Sequence, residues 1–440
     1  MAQNSDLKDV FSSKWGFILA CAGSAVGMGN IWLFPYRAGE LGGAAFLIPY
    51  IICVIVLGFI AIIGEISIGR LTGTGPVGAF KKVMRLRGKN GKIGEYLGWI
   101  AVIVVFIIAL GYTVIVAWVI RFLFGAFSGA SFYSADSSMY FELITNGGGI
   151  IFWIFITLLL VVFSMARGVE KGIEQISKVL MPAFILLFLV LAVRVAFLEN
   201  ASQGYKYLLL PRWEFLFNPK TWILALGQAF YSLSIFGSIM IVFGSYAQKS
   251  ENIISSAKNI VIIDTISSII ASLVIIPAVF AFGKNISAGP SLMFITMPDI
   301  FKTLPFGQIF MIIFFTAVFF AAITSLISIL EVVIETLQNR FNMKRSYALV
   351  LTAALIMILN LFIKGNISGF MDLLEIHFVP FCALMAGIFV FWILPPQHLI
   401  KEIQSGRTKP APKWLLAAGR YVFCPLIIIL YVLNILHAAK

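Results

Sequence analysis

The chain repeatedly runs apolar for the thickness of a bilayer. A helix of roughly 20 residues crosses the ~30 Å hydrocarbon core. Stretches of that order fall near 16–36, 44–68, 96–125, 149–165, 174–197, 221–246, 259–282, 307–337, 347–363, 371–395 and 415–437, eleven in all. No water reaches that layer, so each backbone N–H and C=O must be satisfied by the chain itself, which selects helices over open strands. Composition agrees: 60% of the 440 residues are hydrophobic and 12% are charged. A soluble chain of this length covers its outside with polar side chains, and so little charge cannot do that. The expected fold is an all-α polytopic membrane protein. A soluble enzyme and most nucleic-acid binders are excluded.

The net charge of +13 has its explanation in the loops. With the N-terminus in the cytoplasm, the inner loops hold 21 Lys and Arg and the outer segments 10. That bias sets the N-terminus inside, and eleven crossings then leave the C-terminus outside the cytoplasmic membrane. The positive charge meets the lipid bilayer, not nucleic acid. The first fourteen residues are polar, and the apolar run after them is too long and glycine-rich for a signal peptide, so insertion is expected through the chain's own helices. Cys21, Cys53, Cys382 and Cys424 lie inside apolar runs without a CxxC and read as packed thiols. Residues 73–78 fit GxGxxG, but they follow a membrane helix and include Pro76, so no dinucleotide is expected. There is no Walker A motif and no nucleophile–base pair. Neither ATP-driven transport nor an enzyme is expected, and no organic cofactor.

Polar residues inside the apolar runs carry more information. Helix 1 reads Gly23-Ser24-Ala25-Val26-Gly27-Met28-Gly29-Asn30 in mid-span. Glycines disfavour helix, and carbonyls freed there could coordinate a cation; close packing through small residues is an equal alternative. Helix 6 has a matching interruption, Ser232-Leu233-Ser234-Ile235-Phe236-Gly237-Ser238. Corresponding interruptions in two oppositely oriented halves indicate inverted repeats with a binding site at the midplane. The expected division is 1–198 for the first five helices, 199–400 for the second five, and 401–440 for a cytoplasmic loop and an eleventh helix. Helix 7 places Asp264 about a quarter of the way into its span, at a cost of at least ~2.5 kcal/mol; it should face a cation or a wet cavity. Glu65 in helix 2 could do the same or pair with Arg70. Thr324 and Ser325 in helix 8 are ligands or hydroxyls bonded back to their own turn.

Several blocks carry a resemblance. Residues 23–35 with Gly29-Asn30-Ile31-Trp32, then Gly42-Gly43-Ala44-Ala45-Phe46, Arg167-Gly168-Val169-Glu170-Lys171-Gly172, Gly227-Gln228-Ala229-Phe230-Tyr231-Ser232 and 321–325 together resemble the neurotransmitter:sodium symporter family. The likeness is greatest to its bacterial amino-acid members, tyrosine carriers among them. It implies two sodium ions as coupling ions. One would take the carbonyls of Gly23, Val26 and Ala321 and the hydroxyls of Thr324 and Ser325. The other would take the Ala25 carbonyl, Asn30, Ser232 and Asp264. The amino-acid carboxylate would meet the amides of Met28 and Gly29 and the Tyr112 hydroxyl, and the amine the carbonyls of Ala25, Tyr231 and Ser232. Ser24, Ile108, Ile115, Tyr231, Ser234, Gly237, Ser325, Ser328 and Ile329 would surround its side chain.

The resemblance also implies gates and departures from them. An outer gate would use Asp372 with Arg37, since Leu33 stands where family members carry an arginine. An inner gate would use Lys8, with Glu335 standing in because Asn339 replaces the aspartate. Helix 5 would unwind between Gly172 and Pro182 to release sodium. Phe236 and Gly237 are reversed in order, which would open the pocket floor to a large aromatic side chain, tyrosine first. Tyr50, Gln228, Ser232 and Ser268 match a chloride site, but Asp264 supplies a fixed negative charge there, and transport should not need chloride. The expected function is sodium-coupled import of an amino acid. A channel or a non-transporting sensor on the same fold is the alternative.

Overall fold

A computed structural model describes residues 10–146, 149–284, 286, 289, 291–363 and 367–438. Its regular elements are all helical; no strand occurs among the described residues. The main helices are α1 (Lys14–Ala25), α2 (Gly29–Glu40), α3 (Ala44–Thr72), α4 (Gly91–Ser128), α5 (Ile150–Met165), α6 (Val169–Ala196), α7 (Pro219–Ser232), α8 (Ile239–Ser245), α9 (Ile253–Ala281), α10 (Gly307–Phe341), α11 (Arg345–Asn360), α12 (Val379–Ile393) and α13 (Trp414–Leu433). Among the described residues six helices are long and apolar enough to cross a bilayer alone, or up to nine when each bent pair is one span. The shorter α11 and the interrupted pair α7–α8 occupy the other two expected positions. Shorter helices fill the links. Pro76–Leu86 forms because Val77, Phe80, Val83 and Met84 recur at helical spacing and are all buried, while its lysines stay on the other face.

The two expected interruptions are present. α1 stops at Ala25, where Val26 turns extended (φ −74°, ψ 106°), and α2 restarts at an angle of 58°. α7 stops at Ser232, and 233–238 run irregularly before α8. Ser234 and Gly237 take positive φ, 52° and 67°. A break at this depth is tolerable only when protein groups satisfy the freed backbone. The Gly237 amide donates to Glu65 Oε1 at 3.0 Å, and Ser234 Oγ donates to the Ser24 carbonyl at 2.8 Å. Glu65 therefore serves the helix break rather than Arg70, which pairs with Glu402 at 2.6 Å.

Close backbone approach holds the broken helix in place. A Cβ on Gly69 would strike the Ile241 carbonyl, and one on Gly244 the Ile66 backbone, so α3 and α8 touch main chain to main chain. Near the same end of the fold, buried Glu174, at the end of the widened turn Val169–Glu174 that opens α6, gathers the start of α1. It accepts from Ser12 N at 2.7 Å and from Ser12 Oγ and Ser13 Oγ at 2.8 Å, and it pairs with Lys178 at 2.6 Å. All four cysteines are free and buried, as packed thiols are.

A Cβ on Gly237 would lie 2.6 Å from the Cys382 carbonyl and 3.0 Å from Ala386 Cβ in α12. Gly237→Ala therefore adds left-handed strain of about 1–2 kcal/mol and a steric clash at one position. The expected outcome is a lower unfolding midpoint of the purified protein in detergent, read by size-exclusion survival after heating, whichever amino acid is present.

Candidate functional site

The two breaks face one small cavity of ≈ 30 Å³. Ser24, Ala25, Gly27, Met28 and Gly29 supply one wall, Tyr231, Ser234 and Phe236 a second, and Ile108, Tyr112, Ser325 and Ile329 the rest. None of these residues is charged. The Tyr112 hydroxyl lies 3.4 Å from the Met28 amide. A Cβ on Gly27 would fall 2.8 Å from that hydroxyl and 2.7 Å from Ser325 Oγ, so a side chain there would occupy the polar end of the cavity. The start of α2 is at the same end, and a helix N-terminus favours an anion. Ser24 Oγ is buried at the cavity with no hydrogen-bond partner.

Ten of the expected pocket residues line this cavity and four do not. Ile115 is packed in the core. Ser232 belongs to the acid cluster below, and Ser328 Oγ is bonded back to the Thr324 carbonyl at 2.9 Å. Gly237 points at α12, and the space assigned to it is walled by Phe236. The direction of a side chain in irregular backbone does not follow from helical period, and that is why order in the sequence misplaced this pair. Gly27 was within the quoted motif, and its only distinguishing signal was its small size beside two polar partners.

Beside the cavity lies a cluster of neutral oxygens. Ser325 Oγ is 3.1 Å from the carbonyls of both Gly23 and Val26. Thr324 Oγ1 is bonded back within its own helix, to the carbonyls of Phe320 at 2.9 Å and Ala321 at 3.1 Å, and its Cβ would be 3.2 Å from a Cβ on Gly23. Three carbonyls and two hydroxyls from α1 and α10 thus converge, a donor set that suits a hard cation. α6 closes this cluster: Met181 Sδ would be 3.1 Å from the same Gly23 Cβ.

A second cluster centres on Asp264, fully buried in α9. Its carboxylate accepts from Asn30 Nδ2 at 2.7 Å, from Ser232 Oγ at 2.9 Å to each oxygen, and from Tyr50 OH at 3.3 Å. Asn30 Nδ2 also reaches Ser268 Oγ at 2.8 Å, and its Oδ1 accepts from the Gly27 amide at 2.9 Å. Gln228 Nε2 donates to the Gly29 carbonyl at 2.9 Å. Asn30, Ser232 and Asp264 are therefore in one group, with the Ala25 of that expected set lining the adjoining cavity. Among the described residues no cluster of three His, Cys, Asp or Glu suits a transition metal. The oxygens here suit an alkali cation with one carboxylate as counter-charge.

The expected gates are only partly visible. Lys8 and the side chain of Asp372 lie outside the described residues. Arg37 Nη1 donates to Gln228 Oε1 at 3.0 Å. Glu335 Oε1 accepts from the Gly75 amide at 2.6 Å, at the start of the helix Pro76–Leu86, and also from the Asn339 side chain. Gly172 sits in a widened turn, Val169–Glu174, and a Cβ there would meet the Ser164 carbonyl at 2.5 Å. Pro182 is inside the continuous helix Gln175–Ala196.

Comparison with known proteins agrees with this geometry. The family description "Sodium:neurotransmitter symporter family" matches residues 8–140 and 128–440. An uncharacterised sodium-dependent transporter of Bacillus subtilis strain 168, YhdH, is 38% identical over 340 residues, 76% of this chain and 74% of that protein. The sodium- and chloride-dependent GABA transporter ine of Drosophila melanogaster is 27% identical over 499 residues, 99% of this chain but 52% of that protein. The crystal structure of MhsT in complex with L-phenylalanine superposes with a TM-score of 0.86 at 31% identity, covering 96% of this chain and 99% of that one. With two broken helices around an uncharged cavity, two oxygen clusters beside it and a match along nearly the whole sequence, the chain belongs to the sodium:neurotransmitter symporter family.

Proposed function

We propose that this multi-pass membrane protein is a symporter that imports a neutral amino acid with a large side chain, tyrosine ahead of the others, driven by two sodium ions. The observation that carries the substrate class is the cavity: its walls hold no charged side chain, and an unpaired charge buried there would cost several kcal/mol. The polar end at Gly27, Met28 and Tyr112 suits the α-carboxylate. The far walls of Ile108, Tyr231, Phe236 and Ile329 suit an apolar or aromatic body. MhsT, which superposes on the chain, was solved with L-phenylalanine. The unpartnered Ser24 hydroxyl supports tyrosine, because a site that hydrogen-bonds a hydroxyl rejects the analogue without it.

In this reading the Gly23–Thr324–Ser325 cluster and the Asp264 cluster each hold one sodium ion. Both draw on residues of the first break, so ion binding would order the backbone that receives the amino acid. Inward sodium movement supplies about 2.3 kcal/mol per charge per 100 mV. Within the two five-helix repeats, 1–198 and 199–400, rocking of one helix bundle about this centre would open the inner path, with α6 loosening between Gly172 and Pro182 to let sodium out.

Uptake of labelled tyrosine into proteoliposomes with an inward sodium gradient should saturate, and among the twenty amino acids the large neutral ones should compete best. Gly27→Ala should abolish amino-acid binding, since its methyl group would take the carboxylate's place. Competition by lysine or glutamate as strong as by tyrosine would sink the substrate class; conduction without bound amino acid would favour the channel reading.

Chloride should be dispensable. The Asp264 carboxylate already stands among Tyr50, Asn30 and Ser232, and a second buried anion beside it would be repelled. Replacing chloride by gluconate should leave wild-type uptake within about two-fold, an effect under ~0.5 kcal/mol. Asp264→Asn should be inactive or become chloride-requiring. Strong chloride dependence of the wild type would overturn this role for Asp264.

A further inference from the structure

A groove of ≈ 460 Å³ lies on the outer face of the bundle, between α5, α6 and α10. Its volume is within the ~300–1,000 Å³ typical of small-molecule sites. One end is basic: Arg167 and Lys171 line it, both exposed, and no carboxylate does. Neither forms an ion pair among the described residues, and the Arg167 guanidinium stands 5.4 Å from the centre of the Phe163 ring. The other end is apolar, walled by Val179, Phe319 and Ile323. The basic end falls at the link between α5, which finishes at Met165, and α6, which begins at Val169, and a link between two apolar helices is where the edge of the hydrocarbon layer is expected. α6 has only 28% of its most apolar window buried inside the protein, so this face is turned to lipid.

We propose that the groove binds one anionic phospholipid, with its phosphate between Arg167 and Lys171 and an acyl chain running along Val179, Phe319 and Ile323. Charge complementarity selects the occupant. Two free cations at the membrane boundary, opening onto an apolar channel within the bilayer, match a lipid that is anionic at one end and hydrocarbon at the other. Basic pockets between transmembrane helices bind such headgroups. A soluble anion would use the first feature and leave the second unexplained. The groove also backs onto the oxygen cluster. Ile323 precedes Thr324, and α6 reaches Gly23 through Met181, two residues after Val179. The lipid would thus be wedged between the two helices that close that cluster.

Native mass spectrometry of the full chain, titrated with phosphatidylglycerol or phosphatidylcholine in mild detergent, tests this independently of transport. Wild type should hold one phosphatidylglycerol at least about ten-fold more tightly than phosphatidylcholine. Arg167→Gln with Lys171→Gln should erase that preference. Lys409→Gln with Lys413→Gln removes equal charge from another loop and should keep it. Equal loss in both double variants would make the attraction diffuse and overturn the site. A short-chain phosphatidylglycerol should bind more weakly than the long-chain form; equal binding, or displacement of the lipid by inorganic phosphate, would overturn the acyl half of the assignment.

Discussion

Everything at the centre of this protein depends on satisfying backbone groups where no water is available to do so. Two helices are interrupted in mid-span, and each interruption leaves carbonyls and amides without intrahelical partners. They are tolerated because the breaks meet. Ser234 on the second serves the Ser24 carbonyl on the first, Gln228 serves Gly29, and Glu65 reaches across from α3 to the Gly237 amide. The carbonyls of Gly23 and Val26 both accept from the Ser325 hydroxyl, and a hydroxyl can turn its proton away. The same oxygens that complete the fold are therefore available to a cation. Structure and ion coordination draw on one set of atoms.

Electrostatics sorts the neighbouring sites. The cavity wall is uncharged, the Ser325 cluster is neutral, and one fixed carboxylate stands in the second cluster. That carboxylate is surrounded by donors from α2, α3 and α7. A negative group so held fixes the sign of what can enter beside it without occupying the cavity itself.

Much of this was legible in the sequence, because the signals are local. Apolar runs gave the helices, and glycine and serine at the mid-points of two runs gave the breaks. A lone aspartate in hydrocarbon gave the acid cluster. What was not legible depends on partners far apart in the chain. Glu65 and Gly237 are 172 positions apart, and nothing near Glu65 distinguishes a helix-break partner from an ion pair with Arg70. The exchange of Phe236 for Gly237 at the wall turns on two positive φ angles, at Ser234 and Gly237, and a serine does not announce one. The helix Pro76–Leu86 shows clear periodicity, yet its lysines and arginines invite a reading of the segment as charge alone.

The attachment of α1 to Glu174 has a consequence for water. That carboxylate is sealed from solvent, and three of its four partners belong to Ser12 and Ser13. If the start of α1 swings outward, Glu174 keeps its ion pair with Lys178 but loses those hydrogen bonds, each worth about 1.5–3 kcal/mol to a charged group unless something replaces it. Only solvent can do so. Displacement of this helix end and wetting of the turn that contains Gly172 are consequently one event. The inner end of the bundle cannot open dry.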